Sequence, residues 1–197
     1  RNRLALQASG VAGGNNTLGD EIVQSGVYDK LSYSIGQFHY ETDGFRKNND
    51  QELDIYNLFT QISLSPKTSI QAEFRQNDRE TGDLPLRFDP DLIYENLRQE
   101  EQTNSVRLGF HHAFTPNSDI IVSSTYVDSN DVASFEDPDF SYDLEAKGDG
   151  FMNELQHLFR YEQFSIISGA GYLYSDIEET DTITFLSVPT TTVQDFD

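Results

Sequence analysis

The side chains best placed for chemistry recur at every second position. Gln61 is followed by Gln71, Glu73 and Arg75, then by Arg107 and His111, then by Glu154, Gln156 and Arg160, each alternating with other side chains. On a strand, a two-residue spacing gathers such groups on one face. Lining a lumen, charges of both signs set a transverse field that filters solutes. On an ordinary sheet they form a solvated face, and that account covers them equally well. No catalytic motif accompanies them. The chain has four histidines, His39, His111, His112 and His157, and no cysteine. Neither H-E-x-x-H nor G-x-S-x-G occurs. His111 and Ser123 could meet across a hairpin, as ordinary sheet neighbours do. No catalytic residue, metal ligand set or cofactor is assigned, and the chain reads as a non-enzyme.

Carboxylate is the other chemical resource. The net charge of −21 comes from 34 acidic and 13 basic residues, and the stretches 41–54, 77–104, 128–150 and 175–197 hold 27 of the acids and 6 of the bases. The rest is neutral, with 7 of each sign. Such a surface repels phosphate, which argues against a nucleic-acid partner, and it attracts cations. The densest stretch, Asp128 to Asp149, invites a calcium reading centred on Asp137, Asp139 and Asp143, because carboxylates at short spacing suit a hard cation. It lacks the D-x-D-x-D-G pattern, and acidic surface loops usually only solvate.

The segments between these stretches must position both sets of groups. Tyr56, Leu58, Ile62 and Leu64 alternate with polar residues, and Ser65-Pro66-Lys67-Thr68 makes a tight turn into Ile70, Ala72 and Phe74. Val106, Leu108, Phe110 and Phe114 lead through Thr115-Pro116-Asn117-Ser118 into Ile120, Val122 and Tyr126. A third hairpin joins Leu155, Phe159 and Tyr161 to Phe164, Ile166, Ala170 and Tyr172 near Glu162-Gln163. Two-residue periodicity means sheet. Short turns alternate with long acidic stretches, so the long connections collect at one end, as in outer-membrane barrels. Towards the N-terminus, Leu4–Ala8 reads as a strand and Gly13–Asn16 as a turn. The phase slip between Ile35 and Phe38 suggests a bulge near Gly36. Residues 20–26 read as a connection of unexplained length.

Hydrophobic residues make up 36% of the chain, and no apolar run approaches the roughly 20 residues a membrane helix requires. A barrel escapes that requirement, because only alternate strand residues meet lipid. On the apolar faces Phe114, Tyr161 and Phe164 lie beside the short turns, while Tyr56, Phe74, Tyr126, Phe151, Tyr172 and Tyr174 lie beside the acidic stretches. Leu58, Ile62, Leu108, Val122, Leu155 and Ile166 fall between. Aromatics at both rims with aliphatics between is a membrane girdle, whereas a sandwich core scatters its aromatics. His112 and His157, on the same face, count against the girdle.

The stretches Phe38-His39-Tyr40-Glu41-Thr42-Asp43-Gly44-Phe45-Arg46, Leu64-Ser65-Pro66-Lys67-Thr68-Ser69-Ile70-Gln71-Ala72-Glu73-Phe74-Arg75 and Phe114-Thr115-Pro116-Asn117-Ser118-Asp119 resemble the barrels of Gram-negative outer-membrane proteins of the porin and TonB-dependent-receptor type. They are most similar to barrels that follow tetratricopeptide repeats in large bacterial proteins. The resemblance spans residues 27–175 and implies an outer-membrane location, passage or export of solutes, and a periplasmic repeat region in the full-length protein. It implies no catalytic residue.

The expected fold is all-β: one domain over 1–197, seven or eight strands of a larger antiparallel up-and-down transmembrane barrel, with short turns at one end and long acidic loops at the other. The chain opens at Arg1 without Met and ends within an acidic stretch, so it reads as a piece of a longer protein. The expected function is a pore or transporter, with membrane lipid, solutes and cations as partners. The alternatives are a surface binding module that the barrel only anchors, and a secreted soluble β-sandwich.

Overall fold

The computed structural model describes residues 2–89 and 92–196; Arg1, Pro90, Asp91 and Asp197 lie outside them. Its regular structure is entirely strand: β1 (Arg3–Ala12), β2 (Leu18–Tyr28), β3 (Leu31–Thr42), β4 (Gln51–Ser65), β5 (Thr68–Thr81), β6 (Arg98–Thr115), β7 (Ser118–Asp137), β8 (Phe140–Tyr161), β9 (Phe164–Phe185) and β10 (Val188–Phe196). They form a single antiparallel sheet in chain order, β1 to β10, and it is not closed. The described residues thus form ten strands where the alternation suggested seven or eight.

Four two-residue turns, 29–30, 66–67, 116–117 and 162–163, lie at one end of this meander, the turn end. The other five connections, 13–17, 43–50, 82–97, 138–139 and 186–187, lie at the opposite, loop end. The expected segregation of connections therefore holds. The expected length of the acidic loops does not. Most of 128–150 and 175–197 is strand, with tight turns at 138–139 and 186–187. The reason is physical. Where water lies on both sides of a sheet, neither face need be apolar, so the alternation is lost or, as over 140–150, reversed in phase while the backbone ladder continues. Leu186 and Ser187, with φ of 47° and 67°, give the two left-handed residues of a type I′ hairpin.

Two further expectations fail nearby. Residues 20–26 belong to β2, whose ladder with β3 runs unbroken from Leu18↔Glu41 to Tyr28↔Leu31. No bulge falls at Gly36, which pairs regularly with Val23 and Asn57. Phe38 and Tyr40 simply lie on the other face, Tyr40 extending over Gly19, where a β-carbon would crowd its ring. The bulges lie instead at Leu64 and Phe114, each two residues before a turn proline. Ser65 Oγ accepts the Lys67 amide at 3.1 Å and Thr115 Oγ1 accepts the Asn117 amide at 3.2 Å, so both proline turns are closed by the same side-chain device.

Successive hairpins are staggered in one direction. Leu31, the first residue after one turn, pairs with Ile62, four residues short of the next turn at Pro66. Thr68 pairs with His112, again four residues short of Pro116. Ser118 pairs with Phe159, three short of Glu162. A stagger of constant sense is the shear that closing a sheet into a barrel requires.

Packing is inverted relative to a water-soluble domain. Among the described residues no apolar side chain is buried, and the buried polar ones are Asn49, Thr81 and Asp83. Each strand packs only against its sheet neighbours, so no second layer covers either face. This removes the β-sandwich alternative, whose core requires two facing sheets.

Candidate functional site

Register assigns the nine alternating polar residues, Gln61 to Arg160, to one face. Gln61, Gln71, Gly109, Ser123 and Glu154 form one rung across β4 to β8. The next rung towards the loop end holds Phe59, Glu73, Arg107 and Thr125, and the one beyond it Asn57 and Arg75. Towards the turn end come Ser69, His111, Ile121 and Gln156, with Arg160 further along the same side of β8. Three of the bases on this face, Arg107, Arg160 and His111, are paired with acids. Arg107 bonds Glu73, which also accepts from Asn57 Nδ2 at 2.9 Å. Asp119 bridges Arg160 Nη1 at 2.6 Å and His111 Nε2 at 3.1 Å. Asp119 was not singled out from the sequence; standing one residue inside β7, it carries the acid that two of the named bases require. His111 is thus engaged by Asp119, although it lines a small cavity of about 320 Å³ together with Ser123.

The opposite face carries the aliphatic residues and the aromatics. Phe74, Val106, Tyr126, Phe151 and Tyr174 form a single rung. Tyr126 and Phe151 are in ring contact, with centroids 5.0 Å apart. Tyr56 lies one rung further out and Tyr172 one rung further in. At the turn end Tyr161 pairs with Phe164, rings 5.7 Å apart, and the bulge residue Phe114 meets His112 at 4.8 Å. From Phe151 to Tyr161 is ten residues of β8, about 33 Å at the usual rise; a strand tilt of about 40° projects this to roughly 25 Å. That is the height of the apolar band of an outer-membrane barrel.

Polar groups on this face satisfy one another. His112 Nδ1 bonds Thr68 Oγ1 at 2.9 Å, His157 Nε2 bonds Ser118 Oγ at 2.8 Å, and Ser124 donates to Asn153 at 2.8 Å. A hydrogen-bonded imidazole is far cheaper to place in an apolar medium than a bare one, which answers the objection that His112 and His157 raised.

At the loop end, 43–50 and 82–97 are knit together around Asp83, whose side chain is wholly buried. Arg87 grips its carboxylate with two nitrogens at 2.6 and 2.8 Å, and the Tyr94 amide donates to it at 3.1 Å. Arg46 donates to the carbonyls of Asp83 and Pro85 at 2.7 and 2.8 Å, and Asn48 Nδ2 to those of Tyr94 and Leu97. Hydrogen bonds from Arg87 hold the Asp83 carboxyl below the usual carboxylate range. Gly82 is required here, since a β-carbon would collide with the Asn48 carbonyl. Tyr94 stacks under the Arg87 guanidinium and abuts Phe135 at 5.4 Å. Phe135 lies on the same face as Arg107, so the 82–97 loop leans over the polar face. Phe88 is left fully open to solvent and Leu86 largely so.

The calcium reading of Asp137, Asp139 and Asp143 is not supported by the geometry. A two-residue turn places Asp137 opposite Phe140 and Asp143 opposite Ser134, and the carboxylates do not converge. Among the described residues the donor atoms that do converge belong to His39, Glu52 and Asp54.

No protein-family model matches the chain, and no curated protein does. Solved structures do match. The unliganded ferric citrate transporter FecA superimposes with a TM-score of 0.66 at 12% identity, over 98% of this chain and 32% of that one. The siderophore receptor PiuA from Acinetobacter baumannii gives 0.64 at 10%, over 98% of this chain and 37% of the receptor. The chain therefore spans about a third of each. At such identities the likeness concerns the fold: an antiparallel sheet of the kind that builds outer-membrane receptor barrels.

Proposed function

We propose that this chain is a sector of an outer-membrane β-barrel through which solutes cross, the polar face lining the lumen and the apolar face meeting lipid. The observation that supports this most strongly is the inverted packing: an uncovered apolar band about 25 Å tall, bounded by aromatic rungs, behind a polar face that carries charges of both signs. The residues Gln61, Gln71, Glu73, Arg75, Arg107, His111, Glu154, Gln156 and Arg160 then line the passage. The likeness to a ferric citrate transporter and a siderophore receptor supports transport in particular, and the resemblance to barrels that follow tetratricopeptide repeats extends the reading to a periplasmic repeat region in the full-length protein.

Conductance of the full-length protein in planar bilayers tests this. Acidic strand extensions at the loop end draw cations to the mouth, while lumen arginines oppose them deeper in. Cation selectivity should therefore be modest and should fade as the Debye length falls from ~30 Å at 0.01 M salt to ~3 Å at 1 M. Anion selectivity at low salt would refute the mouth argument. A closed barrel without conductance would favour the second reading, a binding module that the barrel anchors. The braced 82–97 loop, which presents Leu86 and Phe88, is the observation on that side.

A further inference from the structure

On the apolar side of the sheet, just beyond the outer aromatic rungs, register stacks carboxylate on carboxylate. Glu41 pairs with Glu52, Glu52 with Glu80, and Glu80 with Glu100. One rung nearer the aromatics, His39 pairs with Asp54 and Asp54 with Asp78. Like charges directly opposite one another destabilise a sheet. Among the described residues no lysine or arginine forms an ion pair with Glu41, Glu52 or Asp54; the cationic partner available to Glu41 and Asp54 is His39 itself.

His39 is fixed in place. Its Nδ1 lies 2.8 Å from Asp54 Oδ1, and its Nε2 lies 3.9 Å from Glu41 Oε2. One donor atom each from His39, Glu52 and Asp54 falls within 4.8 Å of the others, close enough for a single ion to bridge them at bonds of ~2.0–2.2 Å after small side-chain adjustments. The cluster borders a cleft of about 660 Å³ whose lining includes Glu41, Asp43, Asp50, Glu52 and Glu80 and no basic residue, a route of entry for a hydrated cation.

We propose that His39, Glu52 and Asp54 form a binding site for a divalent first-row transition ion. The ion takes the place of the proton shared by His39 Nδ1 and Asp54. That proton moves to Nε2, where the Glu41 carboxylate faces it and holds the ring in the metal-binding tautomer. One imidazole and two carboxylates leave a coordination position for water. The nitrogen donor favours Zn²⁺-like ions over calcium, which requires six to eight oxygens. The site stands on its own geometry and does not depend on whether the barrel conducts.

The test is calorimetric titration of the metal-free full-length protein in detergent with Zn²⁺, in ~0.5 M salt so that diffuse attraction to the acidic surface is screened. The expected result is one site per chain that millimolar Ca²⁺ does not displace and that weakens about tenfold or more in His39→Ala and in Glu52→Gln. Glu145→Gln, whose partner is Lys147, should bind as the parent does. X-ray absorption of the zinc-loaded protein should show a nitrogen in the first coordination shell, a readout that does not depend on how the variants fold. Unchanged binding in both variants, displacement by Ca²⁺, or an all-oxygen shell would each overturn the proposal.

Discussion

The two ends of the same strands obey different rules. Between Phe151 and Tyr161, β8 puts Phe151, Leu155, Phe159 and Tyr161 on one face and Glu154, Gln156 and Arg160 on the other. Between Phe140 and Gly150 the same strand reads Phe-Ser-Tyr-Asp-Leu-Glu-Ala-Lys-Gly-Asp-Gly, with every charge in the phase that is apolar nearer the turns, and β9 beyond Tyr174 carries acids in both phases. The ladder is equally regular in both halves. What differs is the surroundings. On the proposed reading, a sheet between lipid and a lumen must be two-faced, whereas a sheet with water on both sides is free to carry Asp176 and Glu178 on one face and Glu179 and Asp181 on the other. At 22 residues, roughly 75 Å of strand, β8 and β9 have about twice the residues a bilayer crossing needs. Alternation therefore reports the solvent and not the strand.

The largest energetic contrast should come from placing one charge on each face of the alternating half. Leu108→Arg puts a guanidinium into the middle of the apolar band and should cost roughly 2–4 kcal/mol of folding stability in lipid vesicles, measured by denaturant titration. Ser123→Arg, in the cavity-lining rung of the polar face, should cost far less. Equal costs would mean that both faces meet the same medium.

In the outer half, order comes from polar bracing. Asp83→Ala leaves Arg87 and Arg46 without their shared acceptor carboxylate, and amides of both 43–50 and 82–97 should lose hydrogen-exchange protection together while β4 and β5 between the aromatic rungs keep theirs. Loss confined to 82–97 would show that the two loops are independent. The pH dependence has a definite sign. The folded Asp83 carboxyl titrates below its unfolded value, so its contribution is complete above the ordinary carboxylate range. It disappears as pH falls through that range towards the lower folded value. Loop protection should thus be flat at neutral pH and fall only in acid. Loss on raising the pH instead would contradict the assignment. A similar polar lock farther along, Tyr142 donating to Asp181 at 2.8 Å, pushes the phenol up to about 12.

The smallest effect belongs to the turn end. Ser65→Ala and Thr115→Ala each remove one exposed side-chain-to-amide bond, and each should cost about 0.5–1 kcal/mol. A much larger loss from either would make that turn a nucleus of the register and not merely its end.

These contrasts explain what the sequence made legible. Three hairpins, the two faces and the placement of the aromatics could be read from alternation, which, on the proposed reading, lipid on one side and polar surroundings on the other force. β10 and the outer halves of β7 to β9 could not, since acids in both phases of β7 and β9, acids in the phase of β8 that is apolar nearer the turns, and the threonine run of β10 look like loop. β2 was hidden for a related reason: Ile22 and Val23 fall on opposite faces, and Gly19 and Gly26 make room for Tyr40 and Tyr33 from β3. The Asp83 brace unites residues up to 49 positions apart, as in Asn48 to Leu97, and no local pattern announces it. Asp119 and the His39 cluster were likewise invisible without register, because their partners lie on neighbouring strands.

The central claim is that one face meets lipid and the other a polar lumen, and the absence of cysteine makes it directly measurable. Single cysteines can be placed at Leu58, Leu108, Leu155 and Ile166 and at Gln71, Arg107, Ser123 and Glu154, then spin-labelled in the full-length protein reconstituted in lipid. Labels on the first set should collide with dissolved oxygen and be shielded from a water-soluble nickel chelate, and labels on the second set should show the reverse, alternating residue by residue along β6 and β8. Equal access of the chelate to both sets would contradict the account.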